Sequence, residues 1–107
     1  MASVLKSNLT PNVGAAATAV LTAAAGATVT VIGLMMANTS AAPQKGTARV
    51  VRGATTANII KDGPIPNGNT LCPVGENGKI VMQAGDVLQC LCDTGTMDVI
   101  VSYLEQT

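Results

Sequence analysis

Histidine, phenylalanine and tryptophan are absent from this chain of 107 residues, and Tyr103 is its single aromatic side chain. Without histidine the commonest general base is missing, and neither a Ser-His nor a Cys-His nucleophilic pair can be assembled. The carboxylates Asp62, Glu76, Asp86, Asp93, Asp98 and Glu105 stand mostly beside glycine, where a solvated turn residue is expected rather than an acid/base pair. The glycines of VGENGKI have no helical segment after them and so do not form a phosphate loop. No catalytic residue is assigned, and an enzyme is the weakest reading. The scarcity of rings bears on binding as well. Carbohydrate sites usually present aromatic faces and single-strand nucleic-acid sites stack bases on rings, so a carbohydrate-binding module is a remote alternative.

Charge is sparse too. Six basic and six acidic residues cancel, and the one local cluster of cations, Lys45, Arg49 and Arg52, lies among small residues. A surface that tracks phosphates needs several more. These cations are read as solvated strand or loop positions, and nucleic acid is not expected as a partner. Between Lys6 and Lys45 there is no charge at all. Within that stretch residues 13–37 are apolar enough to raise the question of a membrane span, for which about 20 residues suffice. The run is interrupted by Thr18, Thr22, Thr28, Thr30, Gly26 and Gly33, and neither end carries Trp or Tyr as an interfacial anchor. No membrane association is expected. A secretory signal is a second possibility, with Lys6 before residues 13–21 and small residues at 23–25. The leading segment is too polar and too weakly charged for it.

Disulfide pairing within the chain cannot be complete, because Cys72, Cys90 and Cys92 are odd in number. Cys90 and Cys92 share a face if they lie in a strand, yet a structural zinc site wants four Cys or His ligands and there is no CxxC. Neither metal nor cofactor is assigned. The thiols are read as reduced, buried small hydrophobes, which suits assembly in a reducing cytoplasm.

What the chain does contain is turn chemistry at short intervals: Arg52-Gly53, Asp62-Gly63, Asn67-Gly68, Glu76-Asn77-Gly78, Ala84-Gly85-Asp86 and Asp93-Thr94-Gly95. Between these lie β-rich runs, TARVV at 47–51, TTANIIK at 55–61, KIVM at 79–82, DVLQCLC at 86–92 and MDVIVSYL at 97–104. Residues 17–22 and the β-branched ATVTVIGLMMAN at 27–38 add two more. Such spacing predicts an all-β chain, a single antiparallel β-sandwich or jelly-roll-like domain of about seven or eight short strands. Pro64 and Pro66 are expected where a connection crosses between sheets or runs along an edge. The sandwich is expected over residues 16–107, preceded by an extended N-terminal arm at 1–15 that is disordered or ordered only on a neighbour.

Two runs, VIGLMMA and MDVIVSYL, place apolar residues on both faces. A strand with two apolar faces needs two covers, and in a sandwich the second comes from outside the domain. Met35 and Met36 are the residues expected to face a partner, or one of them to fill a core gap. With Leu5, Leu9 and Pro11 of the arm they form the expected protein interface. A core of Ala, Val, Ile, Leu and Met buries less area per side chain than an aromatic one, at about 25 cal/mol per Å², so contact with other subunits is a natural complement.

The order of these segments resembles a family of small virion proteins of tailed bacteriophages, cyanophages included. The features that carry the likeness are Ala24-Ala25-Gly26, the strand closing on Asn38-Thr39, PNGNTL at 66–71, MQAGD at 82–86 and SYLE at 102–105. Leu21 and Ala24 stand where that pattern usually has an aromatic and a proline, and the three cysteines replace small polar or apolar residues. The resemblance implies a structural component of the particle. Foremost is a capsid decoration or cement protein that binds the major capsid protein, or another virion protein, on the capsid surface and associates with itself as a homotrimer. A tail, collar or baseplate protein is the alternative.

Overall fold

A computed structural model describes residues 3–75 and 78–107. Nine strands follow in chain order: β1 (Ser3–Val13), β2 (Thr18–Thr22), β3 (Thr28–Asn38), β4 (Gln44–Arg52), β5 (Thr55–Ile65), β6 (Thr70–Val74), β7 (Ile80–Met82), β8 (Val87–Cys92) and β9 (Met97–Gln106). They build two antiparallel sheets, one ordered β1-β9-β3-β6 with β7 also on β3, the other β2-β8-β4-β5. The all-β sandwich is the fold that the spacing of turns and β-rich runs led us to expect. No helix among the described residues is long and apolar enough to cross a membrane. The charge-free stretch instead runs through β1, β2 and β3 to the first residue of β4.

The core lies between the sheets and is aliphatic. Val29, Val31, Leu34 and Met36 of β3 and Met97, Val99, Val101 and Tyr103 of β9 meet Leu21, Ala48, Leu88, Cys90 and Cys92 from the opposing sheet. Alternation on β3 is broken once. A register shift between Val31 and Gly33 moves the inward set from 29 and 31 to 34 and 36, as an extra residue in one strand must.

Differences from the sequence expectation have physical causes. The segment expected as an arm is, from Ser3 onward, an edge strand paired with β9 over eight consecutive residues, Ser3–Thr10; Met1 and Ala2 lie outside the described residues. It shows no period of its own because most of its residues are exposed on both sides. β6 was hidden by Pro73, which an edge strand tolerates. Asp62-Gly63, read as a turn, lies inside β5: Asp62 takes φ 54° at an irregularity and Gly63 is pressed beneath Ile60 and Leu71, where a Cβ would come within 2.5 Å of Ile60 Cδ1. Pro64 sits on β5, the outer strand of its sheet, and Pro66 follows it where the chain crosses to β6. The turn signal at Glu76-Asn77 lies outside the described residues.

Candidate interaction face

The first sheet has a second, outward face, and its composition follows from the register. Leu9 stands opposite Ile100, and Ile100 opposite Met35, making one apolar row across β1, β9 and β3. Two positions along, Ser7, Ser102 and Gly33 form a row of small residues. Beyond it Leu5, Leu104, Thr30 and Val81 make a second ridge across β1, β9, β3 and β7. Rows two residues apart are about 6.7 Å apart, so the ridges stand roughly 13 Å from each other and flank a shallow trough floored by small side chains. A Cβ on Gly33 would touch only Ser102, at 4.0 Å.

This face carries five of the six large hydrophobic side chains exposed among the described residues: Leu5 and Leu9, each 71% exposed, Val81 at 53%, Met35 at 45% and Ile100 at 40%. The sixth, Val4, lies on the same edge strand. The five exposed hydrophobes are thus gathered on one sheet face, in two ridges divided by the row of small residues. At its end, where β1 bulges between Thr10 and Val13, a depression of about 290 Å³ is lined by Leu9, Thr10, Pro11, Asp98, Val99 and Ile100. Asp98, two residues before Ile100 on β9, shares its side of the strand and lines this depression, and its Oδ1 accepts the Asn12 N–H at 3.1 Å.

Of the residues expected at the interface, Leu5, Leu9 and Met35 are brought together on this face and Pro11 borders the depression at its end. Met36 is not part of it. Its side chain is fully buried between the sheets, because the irregularity before Gly33 turns Leu34 and Met36 inward and Met35 outward. Ile100 and Leu104 were missed individually, although MDVIVSYL had signalled a strand apolar on both faces.

Two ion pairs lie away from this face. Lys6 points to the opposite side and its Nζ meets Glu105 Oε1 at 2.7 Å; that hydrogen bond and charge hold the ammonium pKa above its ordinary value. Asp86, expected as a solvated turn residue, is buried. Its carboxylate accepts Arg52 Nε at 2.8 Å, Arg52 Nη2 at 2.6 Å and the Gln83 N–H at 2.8 Å. The Arg52 hydrogen bonds, followed in effect by the backbone bond and opposed by desolvation, hold Asp86 below the usual carboxylate range. The same residue's backbone carbonyl accepts the Ala23 N–H, so this cluster ties the end of β4 to the β2–β3 turn. No sequence pattern marked the pair: it is the register of β4 with β8, Val51 opposite Val87, that brings Arg52 to Asp86.

Cys90 and Cys92 project into the core as expected, whereas Cys72, also expected to be buried, is exposed on the edge strand β6. Burial pushes the Cys90 thiol up to about 12, and Cys92 donates to the Val13 carbonyl at 3.3 Å. Among the described residues no group of three or more metal-ligating side chains occurs. Comparison with family models, with curated proteins and with solved structures finds no match. The outward face of the first sheet is the feature on which a function can be built.

Proposed function

We propose that this chain is a structural protein of a bacteriophage particle, a decoration or cement protein that lays the apolar outward face of its first sheet on the major capsid protein. The observation that carries the contact is the pair of ridges, Leu9–Ile100–Met35 and Leu5–Leu104–Val81, exposed on one sheet face. The virion setting comes from the sequence resemblance. An apolar patch of this kind binds by burial rather than by charge, which suits a neutral chain packed densely on a surface. A subunit that binds only the closed shell stabilises it by mass action, about 2.7 kcal/mol per site when its free concentration is one hundred times Kd.

The test is stoichiometry and heat tolerance. In purified particles a cement protein is present in proportion to the major capsid protein, and particles lacking it should release DNA at lower temperature. A copy number typical of a tail part would move the protein to the tail. Particles without it that withstand heat equally well would remove the cementing role.

A further inference from the structure

The two sheets have four edges among the described residues, and three of them are blunted. β2 is five residues long with a register shift between Ala19 and Leu21. β5 carries Lys61, the positive-φ Asp62 and Pro64, with register shifts on either side of Ala48 of its partner. β6 has five residues, one of them Pro73, and a shift opposite Leu34 and Met36, and β7 beside it has only three. Short length, charge, proline and bulges are the devices that keep edges from pairing with another chain.

β1 lacks them over most of its length. It has 11 residues, twice the common strand length of about 5–6, and its register runs unbroken from Ser3 to Thr10. Its proline and its irregularity are confined to the end, at Pro11 and Asn12, the latter with φ 58°. Its one charge, Lys6, is drawn back over the sheet onto Glu105. As the outer strand of its sheet, β1 has no second ladder partner among the described residues, and its open edge lies beside two leucines each 71% exposed.

We propose that β1 pairs antiparallel with β1 of a second copy of this chain, about a two-fold axis through Ser7. A second copy is a self-complementary occupant, because one register meets the spacing of the β1 side chains on both strands at once. With the axis at Ser7, Leu5 falls opposite the partner's Leu9 and Leu9 opposite the partner's Leu5, on the outward face. On the other face Lys6 falls opposite the partner's Asn8 and Val4 opposite the partner's Thr10. No like charges stand directly opposed, a condition that cross-strand pairs need. Each Lys6 keeps its own Glu105, which offsets the approach of the two lysines across the axis. The first sheets of the two copies become one continuous sheet, and the leucine pairs join two apolar faces into a single one. Closure by a two-fold axis is the isologous arrangement, and it replaces the homotrimer expected above.

The inference concerns the chain alone, so its test is independent of the virion reading. Purified protein under reducing conditions is examined by sedimentation equilibrium over a range of concentrations. A reversible species of twice the 10.7 kDa chain mass is expected. The double variant Leu5→Lys/Leu9→Lys should sediment as a monomer with an unchanged circular dichroism spectrum. In a Cys72→Ser background, Ser7→Cys should give a disulfide-linked dimer on mild oxidation, while Asn58→Cys on the edge of β5 should not. A chain that stays monomeric at hundreds of micromolar, a trimer, a dimer that survives the double variant with its fold intact, or a dimer that Ser7→Cys does not cross-link would each overturn the proposal.

Discussion

Met35 and Met36 are neighbours in sequence with opposite fates, and replacing each tests the bulge that separates them. Met36 is wholly buried, and its terminal methyl reaches far enough across the sandwich to lie 3.4 Å from where a Cβ on Gly46 of β4 would sit. Met36→Ala removes that bridge and leaves a cavity, at a cost of about 2–5 kcal/mol. Set against a total stability of about 5–15 kcal/mol, this is a large fraction. With a shift of about 4 °C per kcal/mol for a domain near one hundred residues, the melting temperature should fall by roughly 8–20 °C. Met35, 45% exposed beside Ile100, should behave otherwise. A lysine there can lay its stem along Ile100 and keep its ammonium in water, so Met35→Lys should change stability by no more than about 0.5 kcal/mol.

Thermal melts of both variants, followed by circular dichroism, read out the first half of the contrast; under the function proposed above, binding to capsids reads out the second. Met36→Ala that still folds at low temperature should bind, whereas Met35→Lys should fold normally and lose binding, because it places a charge in the Leu9–Ile100–Met35 ridge. If Met35→Lys melts as low as Met36→Ala, the outward side of β3 has been misassigned. If Met36→Ala melts within about 2 °C of the parent, the side chain does not occupy the core as described.

Acid should unfold the chain partly through Asp86. Its pKa is lowered in the fold, so its contribution is fully present above the unfolded value near 3.9 and is lost as pH falls through the folded one; urea midpoints measured from neutral to about pH 2 should decline less steeply for Asp86→Asn than for the parent, and equal slopes would refute the assignment. Asp93, held low first by the Lys45 N–H, acts with the same sign. Thiol titration under native conditions should modify Cys72 alone, with Cys90 and Cys92 reacting only in denaturant, since both are buried and Cys90 stays protonated at mildly alkaline pH. Three thiols reacting natively at one rate would contradict the packing of β8. Asn38→Ala should cost about 1–3 kcal/mol by chemical denaturation, because the amide donates to the carbonyls of Ala42 and Ile65 and accepts from Ser40 and Gln44 at the end of the sandwich; an unchanged midpoint would mean that this polar cluster is open to water.

Most strands were legible because glycine and asparagine punctuate the chain and β-branched residues fill the intervals. β1 was not, because the mostly exposed residues of an outer strand need no alternation, and an extended segment then looks the same whether free or paired. β6 was not, because its proline reads as a break. On the outward face, Leu5, Leu9 and Met35 could be picked out as apolar residues with no place in a core, but choosing between Met35 and Met36 required a fact that periodicity does not hold. Strict alternation from Val31 would carry Gly33 and Met35 inward. The register shift before Gly33 reverses this, and a glycine in a strand is a recognised marker of such a bulge. Arg52–Asp86 escaped notice because a carboxylate after a glycine usually faces water, and only the pairing of β4 with β8 brings the guanidinium to it.

The same bulge links the core to the outward face. Without it, β3 would send Gly33, Met35 and Ala37 into a sandwich that has no aromatic side chain apart from Tyr103, and would put Leu34 and Met36 outside. With it, the two larger inward residues fill the space between the sheets, Gly33 becomes the floor of the trough, and Met35 completes a ridge with Ile100 and Leu9. One inserted residue thus sets both the packing that holds the sheets together and the relief presented to a partner. Removing it by deleting Ile32 should therefore damage fold and binding together, whereas a charge on Leu9 should damage binding alone.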